Sequence, residues 1–490
     1  MSTPVTAGTA VERPYEIVVG LEVHVELTTE SKIFCSCPTR FGAEPNSQVC
    51  PVCLGLPGTL PVLNRRALEQ AVRAALALNC RIQPVAKFDR KNYHYPDLVK
   101  GYQISQYDLP VGYEGWLEVG DPANPRRIRI RRVHLEEDTG KSLHDQAPGA
   151  SVVDYNRSGI PLLEIVSEPD IRSAEEARDY LMHLRQVMLY TGVSDARMEE
   201  GSLRVDCNVS VRPRGSDVFG TITEIKNLNS FRSVVRAIEY EAQRQWEVLS
   251  AGGTLRRETR HWDERREVTV ALRRKEEAHD YRYFPDPDLL PVPLPADWVE
   301  EIRASLPELP GARRRRYVLD LDLSVRDADT LVGDPGLAGY FEDLLAAGAE
   351  ARAAASWVLT QVLAWLNAQG AGIDAFPVPP ARLARLLRLV DEGTISMTAA
   401  KDVFEEMVRT GAEPDAVVEA RGLRQISDQA ALLEIVDRVL AANPQPVADY
   451  RAGRQQALGF LVGQVMKETR GRANPQLVND LLRQRLSSDG

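Results

Sequence analysis

The sequence contains no apolar run that approaches the ~20 residues of a membrane-spanning helix. Residues 1–16 show no basic stretch followed by an apolar one, so we expect no secretory signal. The hydrophobic content of 43% and the charged content of 27% are ordinary for globular proteins. We therefore expect a cytoplasmic protein that has no membrane partner.

Familiar catalytic loops are also missing. The sequence contains neither the Gly-x-x-x-x-Gly-Lys-Ser/Thr loop of P-loop proteins nor a kinase-type glycine-rich loop, so any ATP site must be of another kind. No serine or cysteine stands in a recognisable nucleophile motif. If the protein uses ammonia, we expect another chain to produce it.

Cysteine is scarce, with six residues in 490, which excludes a disulfide-stabilised scaffold. Cys80 and Cys207 are isolated in apolar or strand-like segments and are expected to be small buried side chains. The other four are Cys35, Cys37, Cys50 and Cys53. Their spacing suits tetrahedral coordination of a structural zinc ion, and Gly55 lets the chain fold back over the sulfurs. Four reduced thiols without a metal are the alternative, while a redox pair is disfavoured.

Positive charge is in the minority, because 60 basic residues oppose 70 acidic ones and the net charge is −10. A nucleic-acid partner would therefore need local basic patches. Residues 451–490 form one, with seven basic and three acidic residues and a net charge of +4. The candidates for contact with an RNA backbone are Arg451, Arg454, Lys467, Arg470 and Arg472. A solvated helical face is the alternative. A separate basic run, Arg126–Arg132, is expected to be an exposed strand edge.

The order of the predicted elements indicates an α+β protein. Residues 16–27 alternate apolar and polar side chains, as a half-buried strand does, and residues 203–211 repeat the pattern. Helices are predicted at residues 66–78 and 174–190, the second with Ser173 as its N-cap.

Prolines and glycines mark the predicted domain boundaries. After Pro291, Pro293 and Pro295 the hydrophobic period becomes helical, and Gly411 and Pro414 separate later helical stretches. We predict three domains: residues 1–295 with a zinc-binding insert at 35–53, a helical domain at 296–410, and a small helical tail at 411–490.

Acidic residues recur at positions that a scaffold does not require, namely Glu22, Glu136, Glu137, Glu164 and Asp206. Glu22 shares a strand face with His24, because the two are two residues apart. Such oxygen ligands suit Mg²⁺, which bridges carboxylates to nucleotide phosphates. Basic residues that can meet a triphosphate are Arg157, Arg204, Lys226 and Arg232. The alternative for each acid is a solvated strand face, and the residues alone do not decide between these interpretations.

Long motifs give the sequence a family resemblance. They are Gly20–Leu27, Phe88–Asp97, His134–Lys141, Asp154–Asp170, Glu200–Asp206, Glu224–Phe231 and Asp280–Leu289, followed in the tail by Gly422–Asp428, Gly459–Lys467 and Arg470–Pro475. Through them the chain resembles, nearly from end to end, the B subunits of the aspartyl/glutamyl-tRNA(Asn/Gln) amidotransferases, the GatB family.

The resemblance implies a glutamine-synthetase-like catalytic cradle, a helical domain and a YqeY-like tail that contacts tRNA. It implies that ATP phosphorylates the side-chain carboxylate of Glu-tRNA(Gln) or Asp-tRNA(Asn), and that ammonia then displaces the phosphate. The ammonia would come from a glutaminase A subunit, with a C subunit completing the complex.

Carried onto this sequence, the resemblance implies specific site residues. The Mg²⁺ ligands fall on Glu22, His24, Glu137 and Glu164, with Glu136 and Asp206 as further candidates. The choice of Glu137 over Glu136 depends on the resemblance alone. Contacts to the nucleotide or the acyl group fall on Arg157, Arg204, Lys226 and Asn227. The two rival functions are a stand-alone ligase of the glutamine-synthetase type and a non-catalytic tRNA-binding subunit.

Overall fold

Apolar and polar side chains alternate along the first strand, which spans Tyr15–Glu26. Val23 and Val25 are fully buried, whereas Glu22 and His24 point to the opposite face and are half-buried. The strand predicted at residues 16–27 is therefore confirmed, and its two faces have different chemistry.

The computed structural model describes residues 13–143, 151–274, 281–425, 429–469 and 473–488. The chain divides into two compact units, Met1–Arg316 and Tyr317–Gly490. The boundaries expected near residues 295 and 410 stay predictions.

The strands, numbered along the chain, are β1 (Tyr15–Glu26), β2 (Arg81–Ile82), β3 (Val85–Ala86), β4 (Asp89–Asn92), β5 (Tyr102–Ser105), β6 (Gly112–Val119), β7 (Arg126–Glu137), β8 (Lys141–Leu143), β9 (Val152–Asp154), β10 (Pro161–Ser167), β11 (Leu203–Pro213), β12 (Thr223–Leu228), β13 (Glu258–Asp263), β14 (Val268–Arg274), β15 (Phe284–Pro285) and β16 (Val292–Pro293).

The helices are α1 (Arg65–Ala77), α2 (Ala174–Thr191), α3 (Phe231–Ser250), α4 (Ala296–Ala304), α5 (Pro310–Leu319), α6 (Val325–Val332), α7 (Pro335–Ala346), α8 (Ala351–Trp357), α9 (Leu363–Gln369), α10 (Pro380–Asp391), α11 (Met397–Thr410), α12 (Pro414–Ala420), α13 (Gln429–Ala442), α14 (Pro444–Arg451), α15 (Gln456–Glu468) and α16 (Pro475–Ser488).

The described strands of the first unit include a nine-stranded sheet in the order β14-β13-β12-β11-β1-β10-β7-β6-β2. Neighbouring strands are antiparallel, except for the parallel pair β12 and β13. Helices α1, α2 and α3 cover one face and share an apolar core with it. The predicted N-cap of α2 is confirmed, since the Ser173 hydroxyl accepts the Glu176 N–H at 3.1 Å.

A small sheet in the order β15-β4-β5 borders the other face of the large sheet. Ser105 of β5 anchors it there by donating a hydrogen bond from its hydroxyl to Glu136 of β7 at 2.9 Å. The polar residues of β1, β7, β10 and β11 therefore lie beside the small sheet and away from the helices.

The strand edge expected at Arg126–Arg132 is wrong, because β7 lies between β10 and β6. Its arginines are neutralised within the first unit: Arg129 pairs with Asp170 at 2.7 Å, and Arg131 pairs with Glu168 at 2.8 Å. The run consequently offers little net positive charge to an external partner.

The second unit contains two apolar clusters among its described residues. The first centres on Trp357 and Phe376, whose rings lie 5.6 Å and 6.2 Å from that of Phe404. The second joins helices α13, α15 and α16 through Val436, Leu461 and Leu482 among others. In the described parts of the chain, no helix combines the length and the apolar character that crossing a membrane demands.

Candidate functional site

Strand register brings charged side chains from four neighbouring strands into one transverse row. His24 of β1 lies opposite Glu164 of β10 on one side and Arg204 of β11 on the other. Glu164 lies in turn opposite His134 of β7. Directly opposed residues of antiparallel strands point to the same face, so the open face of the sheet carries the row Arg204, His24, Glu164 and His134.

The side chains of this row and of its neighbours lie close enough to one another to coordinate the same cation. His24 Nε2 lies 3.5 Å from the Glu164 carboxylate and 3.9 Å from both Glu22 and Glu136. His134 Nε2 lies 3.2 Å from Glu164 and 3.5 Å from Glu136. Two sets of three metal-ligating groups result, Glu22 with His24 and Glu164, and His134 with Glu136 and Glu164. Both sets use Glu164.

The structure does not bring Glu137 into this cluster and places Glu136 there instead; the metal-ligand roles expected of both acids stay predictions. Alternation along β7 turns Glu137 to the opposite side, where its carboxylate pairs with Lys100 and accepts the Ile104 N–H at 2.8 Å. There it lines a separate small cavity of about 80 Å³ together with Cys53. Glu136 takes the place on the open face.

Mutual attraction shifts the pKa values within the cluster. Burial raises the pKa of Glu164, but its contacts with His134 and His24 outweigh burial and hold that pKa well below its usual range. Burial disfavours the charged form of His134, yet Glu164 and Glu136 raise its pKa to about 9. The pKa of Glu22 is raised, first by burial and then by repulsion from Glu164. The cluster thus stabilises positive charge at its centre, the property that a cation site needs.

Glu22, His24 and Glu136 of the cluster line the floor of a cleft of about 740 Å³, whereas Glu164 and His134 are buried and are not among its lining residues. Further residues that line this cleft are Lys91, Tyr93, Asp138, Lys226, Arg257 and Tyr281. Lys226 pairs with Asp206 and lies 3.0 Å from Glu224, and Arg204 donates to Asp138 at 2.6 Å. Basic groups therefore stand on both sides of the acidic floor, Lys226 and Arg204 on the side of β11 and β12 and Lys91 on the side of the small sheet, as a site for a polyphosphate requires.

The other predicted contact residues have different surroundings. Asn227 lines the cleft with a backbone φ of 66°, and its Nδ2 donates to the Trp262 carbonyl at 3.0 Å. Arg157 is not among the lining residues; its guanidinium donates to the carbonyls of Thr139 at 3.1 Å and Gly140 at 2.9 Å. Arg157 supports the cleft wall from behind.

Sequence reasoning missed His134, Lys91 and Asp138. The signal for His134 was present, because it stands two residues before Glu136 on the same strand. Lys91 had no such signal: it reaches the cluster from β4 of the small sheet, with its Nζ 5.1 Å from the Tyr281 ring centroid. The position of that sheet is a tertiary feature that no local pattern reveals.

The four clustered cysteines converge as predicted. The sulfurs of Cys35, Cys37, Cys50 and Cys53 all lie within 4.8 Å of one another. The Cys50 N–H points at the Cys53 sulfur at 3.1 Å, and Gly55 turns the chain with a φ of 65°. Backbone N–H donation to a sulfur is the usual support of a thiolate ligand. The set can hold one metal ion and is compatible with structural zinc.

Three of the five predicted RNA contacts lie in the described tail. Arg451 ends α14, Arg454 pairs with Asp449 at 3.2 Å, and Lys467 borders a shallow surface pocket between α13 and α15. Arg470 and Arg472 lie outside the described residues.

Comparison with known proteins agrees with this architecture. Residues 17–300 match the sequence model of the GatB/GatE catalytic domain, and residues 339–486 match the GatB domain. Over 478 residues the chain is 56% identical to the B subunit of the aspartyl/glutamyl-tRNA(Asn/Gln) amidotransferase of Carboxydothermus hydrogenoformans, covering 97% of this chain and 99% of the relative. The identity to the protein of the same name from Moorella thermoacetica is 57% over 474 residues, with 96% and 100% covered. The chain therefore belongs to the family of aspartyl/glutamyl-tRNA(Asn/Gln) amidotransferase B subunits.

Proposed function

We propose that this chain uses ATP to phosphorylate the side-chain carboxylate of Glu-tRNA(Gln) or Asp-tRNA(Asn), and then amidates the activated acyl group with ammonia. The observation that carries the proposal is the cluster of imidazoles and carboxylates that reaches the 740 Å³ cleft through Glu22, His24 and Glu136. The name shared by the relatives supports the two tRNA substrates. In the first step the γ-phosphate moves to a carboxylate oxygen and ADP leaves. In the second step ammonia attacks the acyl carbon, and phosphate departs with the electrons of the C–O bond.

The donor set of the cluster fits Mg²⁺. Glu164 lies with Glu22 in one ligand set and with Glu136 in the other, and the pKa of Glu22 is raised first by burial and then by repulsion from Glu164. A bound cation would offset that repulsion, and His24 and His134 would complete its ligands. When bound, Mg²⁺ supplies charge neutralisation between the carboxylate and the γ-phosphate.

Basic side chains of the cleft orient the anionic groups. Lys226 and Arg257 line the cleft beside the floor, where they can hold the phosphates of ATP. Arg204 also lines the cleft, and its hydrogen bond to Asp138 at 2.6 Å fixes its guanidinium there. Fixed charges of this kind stabilise a phosphoryl transition state without having to reorganise.

Ammonia is assigned to a separate glutaminase subunit. Burial raises the pKa of the Cys80 thiol to about 12 and that of the Cys207 thiol further still, so neither is a ready nucleophile. The relatives are named as subunits, which supports a complex with other chains. We assign the A and C subunits to it.

The tail is assigned to tRNA. Its basic residues Arg451, Arg454 and Lys467, with Arg470 and Arg472, would contact phosphates of a folded RNA. Replacing Arg454 and Lys467 by Gln should raise the Michaelis constant for tRNA and weaken its salt dependence, while turnover changes little. Arg326→Gln, at an exposed position of α6 in the second unit, is the control; an equal effect from it would remove the assignment.

The main experiment uses this chain purified with its A and C subunits. Glutamine, ATP and Mg²⁺ are supplied with each misacylated tRNA in turn, and Gln-tRNA or Asn-tRNA is measured. We expect product from at least one tRNA and ATP hydrolysis that requires it. Amidation of free glutamate instead would identify a stand-alone ligase, and tRNA binding without ATP hydrolysis would identify a non-catalytic subunit.

A further inference from the structure

The cysteine-bearing insert packs against a second segment of the first unit, residues 153–159, hereafter the contact segment. Asn46 makes three of the hydrogen bonds: its N–H donates to Asp154 Oδ1 at 2.9 Å, its Nδ2 donates to the Val153 carbonyl at 3.2 Å, and its Oδ1 accepts the Tyr155 N–H at 2.8 Å. Two more join Gln48 N–H to Asn156 Oδ1 at 2.8 Å and Asn156 Nδ2 to the Glu44 carbonyl at 2.7 Å. The insert and the contact segment therefore form a continuous polar interface.

Lys32 extends this interface to the sulfurs. It is fully buried, and its Nζ lies 3.6 Å from Cys53 Sγ and 3.3 Å from the Tyr155 carbonyl. Gly159 closes the packing, because a Cβ there would lie 3.4 Å from Lys32 Cδ and 3.6 Å from Cys53 Cβ. A buried ammonium needs a negative partner, and a group of four thiolates around a divalent ion carries net negative charge. Lys32 thus links the charge of the cluster to the backbone of the contact segment.

The contact segment leads from the insert to the catalytic cleft. Its Arg157 holds the carbonyls of Thr139 and Gly140, and its Gly159 N–H donates to the Asp138 carbonyl at 2.9 Å. Asp138 and Thr139 line the cleft, and Asp138 holds the guanidinium of Arg204. A movement of the contact segment would therefore displace the cleft wall immediately after Glu136.

We propose that the metal-loaded cysteine cluster positions the wall of the catalytic cleft, acting through Lys32 and the contact segment. The inference depends on the proposed function for its effect on ATP, but its effect on structure does not. It gives the insert a role beyond local folding, since Asn46 and Lys32 become positioning residues for a site whose atoms they do not touch.

The structural test needs no activity. Hydrogen exchange is measured on the zinc-loaded protein and on protein treated with a chelator. We expect peptides covering residues 153–160 and 138–140 to exchange about tenfold faster without the metal, because their hydrogen bonds open more often. Peptides from α2 serve as the reference. Acceleration confined to residues 35–53 would overturn the proposal.

The functional test uses Asn46→Gly in the intact complex. Asn46 has a φ of 59°, which glycine adopts without strain, so the substitution deletes the side-chain bonds and keeps the turn. We expect unchanged zinc content, a rise of about tenfold in the KM for ATP, and a kcat within about twofold of the parent value.

The matched control is Asn79→Gly, because Asn79 has a φ of 58° and a single side-chain bond to the Trp116 carbonyl. It should leave the KM for ATP unchanged. Lys32→Met is the second variant, and it should release zinc to a chelator several-fold faster while also raising that KM. If Asn46→Gly and Lys32→Met both behave like Asn79→Gly, the proposal fails. A parent complex with no ATP-dependent amidation would instead refute the proposed function and leave the exchange experiment to decide the inference.

Discussion

The two faces of the nine-stranded sheet carry opposite chemistry on the same strands. On the face covered by α1, α2 and α3, the strands present Val23, Leu163 and Leu135, all fully buried in one apolar core. On the open face, the residues next to them in sequence are charged. The covered face stabilises the fold, and this stability allows the open face to keep like charges close together, a destabilising arrangement that chemistry requires.

Glu136 and Glu137 show how sharp the division is. They are adjacent, both are buried, and both are acidic, yet Glu136 faces His24 and His134 while Glu137 pairs with Lys100. Amino-acid composition alone cannot distinguish the two residues. Only the side-chain period of two along β7 separates them.

The largest expected effect comes from replacing Glu136, with the same substitution at Glu137 as the comparison. Glu136→Gln removes a charged group from the proposed cation site and should lower Mg²⁺-dependent amidation about 10³-fold, because metal stabilisation of a transferring phosphate is worth several kcal/mol. Glu137→Gln should leave the affinity for Mg²⁺ within about twofold. An amidation assay measures the loss of activity, and titration calorimetry with Mg²⁺ and ATP measures the affinity of both variants. If Glu137→Gln loses Mg²⁺ binding and Glu136→Gln keeps it, the division between the faces does not define the site.

A cavity made on the covered face should have the opposite effect: it should lower the stability of the fold and leave the activity unchanged. Leu163 is fully buried between its strand neighbours and the helices, so Leu163→Ala should lower the free energy of unfolding by about 4 kcal/mol. The amidation activity per folded molecule should stay near that of the parent, because the adjacent Glu164 keeps its register. Chemical denaturation and an activity assay on the same sample test this. Activity lost in proportion to a change in Mg²⁺ affinity would contradict the independence of the two faces.

Much of this organisation followed from local sequence patterns. Alternation predicted β1 and β11, the N-cap predicted α2, and cysteine spacing predicted the convergence of four sulfurs. Each of these predictions depends only on residues within about twenty positions of one another, where backbone geometry leaves few alternatives. The shared face of Glu22 and His24 could be predicted for the same reason.

Local patterns could not predict which strands pair with one another in the sheet. Alternation was compatible with either Glu136 or Glu137 on the open face, and the resemblance selected the acid that the structure turns away. The edge expected at Arg126–Arg132 failed because β7 pairs with β6 on one side and with β10 on the other. Strand order depends on long-range pairing, which a single sequence does not encode in any short window.

The helix-covered side of the sheet also contains a buried charged group, Glu241, whose contribution to stability should depend on pH. Glu241 of α3 is fully buried; burial raises its pKa, but hydrogen bonds from Arg244, Gln245 and Thr269 outweigh burial and hold it below the ordinary 4.5. A depressed carboxyl pKa contributes stability above the unfolded pKa and loses it as the pH falls through the folded pKa.

Glu241→Gln should therefore cost about 3 kcal/mol near neutral pH, because it removes the fully buried carboxylate and leaves Arg244 and Arg260 to share only Glu258. The difference from the parent should shrink as the pH falls below 4.5. Urea unfolding of both proteins between neutral and acidic pH measures it, and a difference that does not depend on pH would exclude the ion pair as its source.

The smallest effect should come from relieving repulsion on the open face itself. The pKa of Glu22 is raised by burial and by Glu164, so its charged form destabilises the fold when Mg²⁺ is absent. Glu22→Gln should then raise the free energy of unfolding by about 1 kcal/mol at neutral pH. Glu16 stands on the same face of the same strand but pairs with Arg212 at 2.8 Å, which lowers its pKa. Glu16→Gln should accordingly destabilise, so that two identical substitutions six residues apart on β1 have opposite signs. Thermal unfolding in a chelating buffer compares them, and equal signs would mean that the open face does not store the repulsion that the proposed cation site requires.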